Sequence, residues 1–476
     1  MDRYKMNTDS LLIKNAMAVL TMDSSRQEIK DGDVYIEGRE IKKVGKNLEK
    51  KLGKKPSRVI DAKNCVVMPG MINTHHHMYQ TLTRNLPKVQ DAKLFDWLVY
   101  LYDIWKHVTP EAIRISAHVG LGELLLTGCT ASSDHLYLFP EEDSADFIDT
   151  EIEAAKEIGM RFTATRGSMS LGRSHGGLPP DSVVQKEDFI LKDCERLIKK
   201  YHDTSKFSMT NVAMAPCSPF SVTTELMKLT AEMARKLKVR MHTHLAETKD
   251  EEAFCKEKFG MGPVEYMGEC GWLNDSNAWF AHCVWVGEKQ AEMLKKGGAG
   301  VAHCPSSNLR LGSGIAPVPM YLEMGIPVAL AVDGSASNDA SDMLGEARQC
   351  LMVHRIKSET CRQSGVEAMP ARTVLEIATL GGAKLLGRND IGSIEPGKAA
   401  DIAIFDVSGI DYAGAQSDPV ASLVFCGASH RTKYTIVNGK IVVEDGHLVT
   451  MDEKEIAVKA NKTAMELYKK AGVQFC

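Results

Sequence analysis

The feature that most constrains the fold is a regular alternation of short apolar strands and amphipathic helical segments between residues 68 and 390. The eight stretches with strand character are 66–73, 130–134, 162–166, 208–215, 239–244, 278–282, 300–303 and 328–333. The clearest helical segments between them are 110–126, 146–158, 223–237 and 287–296. Eight strand-then-helix units predict an α/β fold, the (β/α)8 TIM barrel. A doubly wound open sheet is the alternative, but no glycine-rich phosphate loop follows the first strand.

Both ends of the chain have a different pattern, in which short strands follow one another with turns between them. Near the N-terminus these strand-like stretches are 11–13, 19–22, 33–36 and 41–44. Near the C-terminus, 434–437 and 441–443 flank Asn438-Gly439, a strong signal for a β-hairpin turn. We therefore predict one small β-sandwich domain formed from residues 1–67 and 391–450. The barrel is expected over residues 68–390 and a helical tail over 451–476.

Composition excludes several classes of function. The 58 lysines and arginines and 62 aspartates and glutamates give a formal net charge of −4, which argues against nucleic-acid binding. No apolar stretch is long enough to span a membrane. Residues 1–5 lead into no apolar signal core, and the 12 cysteines form no CxxC pair. These features predict a cytoplasmic protein with reduced thiols and with no membrane or nucleic-acid partner.

Side chains that commonly bind metals follow four of the predicted barrel strands. His75 and His77 follow the first strand and would face one side, whereas His76 would face the other. His244 ends the fifth strand and Asp333 ends the eighth. Because the carboxyl ends of barrel strands meet at one face, we expect these ligands to converge. Three imidazoles and one carboxylate suit zinc or another borderline divalent ion.

Other polar residues near these strand ends have weaker support from the sequence. Glu247 lies three residues after His244, and His282 ends the sixth strand. A single histidine at a strand end is more often packed or hydrogen-bonded than bound to a metal. That ordinary interpretation is the one adopted for three further residues, His135, His242 and His303.

Two phrases resemble the amidohydrolase superfamily, in its mononuclear aminohydrolase branch. Residues 66–77, Val-Val-Met-Pro-Gly-Met-Ile-Asn-Thr-His-His-His, are similar to its first-strand signature, and residues 391–402 are similar to its return into the small domain. Binuclear members carry a bridging lysine on strand four, and 208–215 contains none. The resemblance therefore implies one divalent ion, most simply Zn²⁺, with Fe²⁺ suiting the same ligands. The implied ligands are His75, His77, His244 and Asp333.

The resemblance also implies a reaction, the hydrolytic loss of ammonia from an amidine-like C–NH2 group of a heterocycle. A water on the metal becomes the nucleophile, and Asp333 accepts its proton and passes it to the leaving amine. Glu247 would carry a proton to the ring nitrogen, and His282 would hydrogen-bond the developing oxyanion. The other zinc-deaminase pattern, HxE with PCxxC, is absent, because the chain contains no HxE.

Longer phrases indicate the substrate. Gln80 lies where guanine deaminases carry a purine-reading glutamine, but Pro216-Cys217-Ser218-Pro219-Phe220 replaces their Pro-Arg-Phe step. Phrases that resemble the 8-oxoguanine deaminases, some of them shared with s-triazine hydrolases, lie at 75–84, 133–137, 166–170, 176–181, 303–311 and 333–339. The expected reaction is 8-oxoguanine to urate plus ammonia. Guanine, pterin and s-triazine rings are the alternatives.

The expected substrate-binding residues are Gln80, Cys217 and Trp97. Trp97, with Tyr100 and Trp105, could stack on a flat ring, but their spacing also fits an ordinary helix face packed in the core. Cys217 could equally be a plain buried thiol. The resemblance further implies a homo-oligomer. A catalytically silent barrel used for binding is the remote alternative, and such relatives usually lose the ligands that this chain keeps.

Overall fold

The computed structural model describes residues 10–140, 146–360, 363–427 and 430–473, and within them the strands form two sheets. The strands are β1 Ser10–Leu20, β2 Glu28–Glu37, β3 Glu40–Gly45, β4 Arg58–Asp61, β5 Cys65–Pro69, β6 Met71–Asn73, β7 Cys129–Ser133, β8 Arg161–Ser168, β9 Thr210–Pro216, β10 Met241–Leu245, β11 Ala278–His282, β12 Gly300–His303, β13 Val328–Leu330, β14 Ile402–Asp406, β15 Tyr434–Val437, β16 Lys440–Glu444 and β17 His447–Leu448.

Strands β6 to β13 form an eight-stranded parallel sheet in chain order. Hydrogen bonds beyond the ladder bring its two ends together: Thr74 Oγ1 donates to the Leu330 carbonyl at 3.0 Å, and the Val332 amide donates to Asn73 Oδ1 at 3.0 Å. Every residue of these strands except Thr210 and Asn211 is buried. This arrangement confirms the predicted TIM barrel.

Helices cover the outside of the barrel and fill the connections. The α-helices are α1 Leu94–Trp105, α2 Pro110–Leu126, α3 Phe147–Ile158, α4 Glu187–Tyr201, α5 Thr224–Leu237, α6 Lys249–Phe259, α7 Pro263–Glu269, α8 Glu288–Gly297, α9 Pro305–Arg310, α10 Val318–Glu323, α11 Met343–Val353, α12 Ala371–Glu376, α13 Gly382–Leu385, α14 Pro419–Phe425 and α15 Glu453–Lys470. A π-helical turn, Ile377–Gly381, joins α12 to α13, and a 3-10 segment, Met78–Thr83, follows the first barrel strand. None of the helices within the described residues is both long and apolar enough to cross a membrane.

The second sheet is formed by both ends of the chain, as predicted. Its order is β17-β16-β15-β14-β5-β1-β2-β3, with β4 paired to β1. The N- and C-terminal parts meet where β5 runs antiparallel to β14. Asn438 and Gly439 form the expected turn, with φ of 51° and 79°. Residues 1–9 and 474–476 of the predicted domains lie outside the described residues, and the domain boundaries stay a prediction.

The predicted first barrel strand, 66–73, is wrong as one continuous strand. Its first half, β5, pairs with β1 and β14 in the terminal sheet, and only β6 belongs to the barrel. The change occurs at Gly70, where a Cβ atom would lie 2.1 Å from Thr130 Oγ1. Only glycine allows this close approach. The chain therefore leaves the terminal sheet at Gly70 and enters the barrel sheet, in which its strand ends at Asn73.

A buried ion pair links the barrel sheet to the terminal sheet. Arg161, at the start of β8, donates through Nε and Nη2 to both carboxylate oxygens of Asp401, at 2.8 Å and 2.9 Å. Both side chains are buried, so removing one charge leaves the other uncompensated.

We therefore expect Asp401→Asn to lower the free energy of unfolding in urea by about 3–5 kcal/mol. Asp411→Asn, at an exposed site with the same chemical change, should shift it by less than about 0.5 kcal/mol. Equal stability of the two variants would show that the pair does not hold the sheets together.

Candidate active site

The predicted site residues converge at the carboxyl ends of the barrel strands. His75 and His77 follow β6, His244 lies near the end of β10, and Asp333 lies three residues beyond β13. His282 is the last residue of β11, and Glu247 follows β10 by two residues. All six side chains are buried, and five of them line one cavity: His77, His244, Glu247, His282 and Asp333. His75 is the sixth, and its ring lies 4.6 Å from that of His77.

A chain of hydrogen bonds sets the tautomer of His75. His242 Nδ1 donates to the Trp279 carbonyl at 2.9 Å, so His242 Nε2 carries a lone pair. That nitrogen lies 2.7 Å from His75 Nδ1, which must therefore carry the proton. His75 Nε2 is then left with a lone pair, and it is buried without a hydrogen-bond partner.

The same reasoning applies to the other two imidazoles. His77 Nδ1 donates to the His135 carbonyl at 2.8 Å, and His244 Nδ1 donates to the Cys217 carbonyl at 2.7 Å. Both Nε2 atoms therefore carry lone pairs, yet they lie only 3.0 Å apart. Two acceptors at this distance repel one another unless a cation lies between them.

The Asp333 carboxylate completes this cluster. Asp333 Oδ1 lies 3.2 Å from His75 Nε2 and 3.3 Å from His77 Nε2. Asp333 Oδ2 accepts a hydrogen bond from Ser307 Oγ at 2.6 Å. Burial raises the pKa of Asp333, but the contact with His75 and the nearby imidazoles lowers it by more. The net result is a pKa well below the usual range.

The cluster fits one divalent ion. Burial is the largest cause that lowers the pKa of His75, His77 and His244, so these rings are neutral beside an ionised Asp333. The separations of 3.0 to 3.3 Å between ligand atoms match the roughly 3.3 Å expected between neighbouring ligands bound tetrahedrally at about 2.0 Å. In barrel strand four, β9, the sequence Thr210–Pro216 contains no lysine that could bridge a second ion.

Glu247 and His282 place proton-transfer groups beside the cluster. Glu247 Oε1 accepts from Ser313 Oγ at 3.0 Å. Burial, with the negative charge of Asp333, raises the pKa of Glu247 to about 8, so it holds a proton at neutral pH. Asn308 Nδ2 donates to His282 Nδ1 at 3.0 Å, which leaves the ring proton on Nε2. That nitrogen lies 3.6 Å from Glu247 Oε2 and 3.9 Å from Asp333 Oδ2.

Gln80, Cys217 and Trp97 line the same cavity as the ligands. Gln80 Oε1 and Trp97 Nε1 are buried without hydrogen-bond partners. Burial raises the pKa of the Cys217 thiol to about 12, so it is neutral. The other lining residues are mostly apolar or aromatic: Leu94, Leu98, Tyr102, Tyr137, Phe220, Leu311 and Ser337. Trp105 does not line the cavity but packs in the core, and its Nε1 donates to Thr83 Oγ1 at 3.0 Å.

Of the other histidines considered from the sequence, two lie away from the cluster and one lies against it. His76 points away from the cluster, as predicted, and its Nε2 lies 3.0 Å from Ser341 Oγ. His303 is buried outside the cavity and faces His354. His135, by contrast, stacks on His244 with ring centroids 4.8 Å apart, and its Nε2 donates to the Ala215 carbonyl at 2.9 Å.

Several residues that support the site were not identified from the sequence. His242 orients His75, and Asn308 orients His282, through the hydrogen bonds described above. Glu251 accepts from the backbone amides of Ala246 and Glu247, at 2.9 Å each, and so shapes the turn after β10. The repeated His-x-His spacing of His242 and His244 on one strand was an available signal, whereas Asn308 and Glu251 gave none.

A parallel (β/α)8 barrel with three imidazoles and a carboxylate gathered at its carboxyl face defines a metal-dependent barrel hydrolase. The sequence matches the Amidohydrolase family over residues 66–442, and the chain belongs to this family. It is 42% identical to 8-oxoguanine deaminase of Pseudomonas aeruginosa strain PAO1, over 96% of this chain and 98% of that protein. It is 34% identical to isoxanthopterin deaminase from an unknown prokaryotic organism, over 98% of both chains.

Solved structures agree with this assignment. The crystal structure of atrazine chlorohydrolase from Arthrobacter aurescens TC1 complexed with zinc has a TM-score of 0.89 and 34% identity, covering 95% of this chain and 100% of that chain. These similarities confirm the predicted family and the predicted enzyme class. The protein is a hydrolytic deaminase, an enzyme that cleaves C–N bonds, and its family is metal-dependent.

Proposed function

We propose that this protein deaminates 8-oxoguanine to urate and ammonia, with one divalent ion held by His75, His77, His244 and Asp333. The observation that carries the proposed ion site is that the Nε2 lone pairs of His75 and His77 face Asp333 Oδ1, and that of His244 lies 3.0 Å from His77 Nε2, with no proton between them. Zinc is the proposed ion, since this donor set suits it and the related atrazine chlorohydrolase is complexed with zinc. When bound, such an ion supplies Lewis acidity and lowers the pKa of water.

The protein's own groups then move the protons. Asp333 accepts a proton from the attacking water and later delivers it to the leaving amine. Glu247, protonated at neutral pH, donates to the ring nitrogen beside the attacked carbon and regains a proton from the new hydroxyl group as the C=O bond forms and ammonia leaves. His282 presents its Nε2–H to the oxygen on which negative charge develops. The three side chains are buried and line the same cavity.

The unpartnered polar atoms of the cavity complement an oxidised purine. Gln80 Oε1 is an acceptor without a donor, and Trp97 Nε1 is a donor without an acceptor. A ring that carries both N–H and C=O groups on its edges satisfies both, and 8-oxoguanine is such a ring, as are guanine and isoxanthopterin. The neutral Cys217 thiol stands where the resemblance to guanine deaminases requires an arginine, so the cavity is more apolar on that side.

Relative kcat/KM on four rings tests the proposed substrate. We expect 8-oxoguanine to exceed guanine, isoxanthopterin and a hydroxy-s-triazine by about 10-fold or more, because a mismatched edge leaves a buried polar group unpaired. A higher kcat/KM for guanine than for 8-oxoguanine would contradict the substrate. The isoxanthopterin arm is included because a relative at 34% identity is an isoxanthopterin deaminase.

His242→Gln tests the proposed role of the hydrogen bond to His75. Loss of the imidazole at this position frees the tautomer and orientation of His75, so we expect metal affinity to fall by about 10- to 100-fold. Competition with a chromogenic chelator measures this affinity. His76→Gln, on the neighbouring residue that points away, is the matched control and should retain wild-type affinity. Wild-type affinity in His242→Gln would refute the role of the hydrogen bond.

A further inference from the structure

A second cavity lies at the opposite end of the barrel from the candidate active site. Its volume is about 720 Å³, and it is lined where strands β8 to β11 begin, by Thr163, Asn211, Arg240 and Asn277. The turn at 386–390 forms another wall. No residue lines both cavities. We call this second space the Arg240 cavity.

Most cationic side chains of the Arg240 cavity are already neutralised. Arg388 pairs with Asp390 through two contacts, at 2.8 Å and 2.9 Å. Arg235 pairs with Asp275 at 2.5 Å. Lys238, at the rim, is exposed and forms no ion pair within the part of the chain that the structure describes. Positive charge therefore exceeds what the cavity's carboxylates balance.

Arg240 also lacks an ion pair among the described residues and, unlike the exposed Lys238, is partly buried. Its Nε atom is buried with no hydrogen-bond partner, and no carboxylate within the described residues lies at ion-pair distance. Burial, with no compensating charge, lowers the pKa of Arg240 to about 10. The guanidinium lies 5.8 Å from the centre of the Trp279 ring, at the outer limit of a cation–π contact, which supplies no full counter-charge.

We propose that the Arg240 cavity binds a small oxyanion, a molecule that bears a phosphoryl or carboxylate group. A planar guanidinium fork is the side chain best suited to hold either group through two parallel hydrogen bonds. The half-buried guanidinium has no carboxylate at ion-pair distance within the described residues, and a bound oxyanion supplies the missing negative charge. The volume exceeds that of a single phosphate and falls within the range of metabolite sites, about 300–1,000 Å³. The site is separate from the deaminase cavity, so binding there does not depend on the proposed substrate.

Calorimetric titration of the metal-loaded enzyme at low ionic strength tests the proposal. Inorganic phosphate and succinate are the two probes, and the tighter one identifies the phosphoryl or the carboxylate class. We expect saturable binding of at least one probe to the wild type. Arg240→Gln should weaken it about 10-fold or more, because a charged hydrogen bond is lost. Arg240→Lys should give an intermediate affinity, since it keeps the charge without the fork.

Lys454→Gln removes one positive charge at an exposed site on α15 and is the matched control, with wild-type affinity expected. Any anion bound at the catalytic metal would persist in Arg240→Gln, so the difference between variants isolates the cavity. Unchanged deaminase kcat/KM in Arg240→Gln shows that this variant is folded. If Arg240→Gln does not fold, the comparison is made between the wild type and Arg240→Lys. Absence of saturable binding, or equal affinity in the wild type and the Arg240 variants, would overturn the proposal.

Discussion

Replacing Asp333 with asparagine is expected to abolish measurable turnover, with kcat/KM for ammonia release lowered by about 10³- to 10⁴-fold or more. The carboxylate has two roles that an amide cannot fill. In the proposed mechanism it supplies the one negative charge among four ligands, and it acts as the base that accepts and returns a proton. Because Ser307 and the Gly334 amide already hold both of its oxygens, an amide of the same shape also loses one hydrogen bond.

Ammonia release and metal content should be measured on the same sample of Asp333→Asn. Asp411→Asn, the same change at an exposed position, is the control and should keep wild-type values of both. The expected result is a lower metal affinity together with the loss of turnover. Turnover within a few fold of the wild type would overturn the mechanism, whichever ring is the substrate.

Glu247→Gln is expected to show the second largest effect, a fall in kcat of about 10²- to 10⁴-fold with metal content unchanged. Glutamine keeps the shape and can still contact Ser313, but it cannot deliver a proton to the ring nitrogen. Because Glu247 is not a ligand in this arrangement, the metal stoichiometry separates its role from that of Asp333. The measurement is single-turnover ammonia release alongside metal analysis.

Glu346 offers a closely matched control for this substitution. It is also buried, and its pKa is also raised to about 8 by burial, but it lies outside the catalytic cavity. It accepts from the Ser306 amide at 3.1 Å and from Asn338 Nδ2 at 2.8 Å. We expect Glu346→Gln to retain kcat. If Glu247→Gln also retained kcat, Glu247 would not be the proton carrier.

The fold and the ligands could be predicted because their signals are local. Each barrel strand is a short apolar run, and β13, for example, is followed within three residues by Asp333. The spacing of His75 and His77 was weak evidence alone, and the metal-site prediction came from its combination with His244, His282 and Asp333 on other predicted strands. The division of 66–73 at Gly70 could not be predicted, because the continuous apolar run suits either sheet and the choice depends on Thr130, sixty residues further on.

Pairings between distant residues account for what the sequence could not show. His242 looked like a packed residue, yet its hydrogen bond to His75, 167 positions away, sets which nitrogen faces the metal site. Arg240 resembles any other surface arginine in the sequence. Its lack of an ion-pair partner among the described residues is visible only in the folded chain.

The most direct test of a single-metal deaminase site is metal titration of the stripped protein. Zinc is added to chelator-treated enzyme, and ammonia release from 8-oxoguanine is followed at each addition. We predict negligible activity without metal and a linear rise to a plateau at one equivalent of zinc, because His75, His77, His244 and Asp333 form one proposed ion site. Full activity in the stripped protein, or no ammonia from any of the four rings at any metal loading, would contradict the assignment.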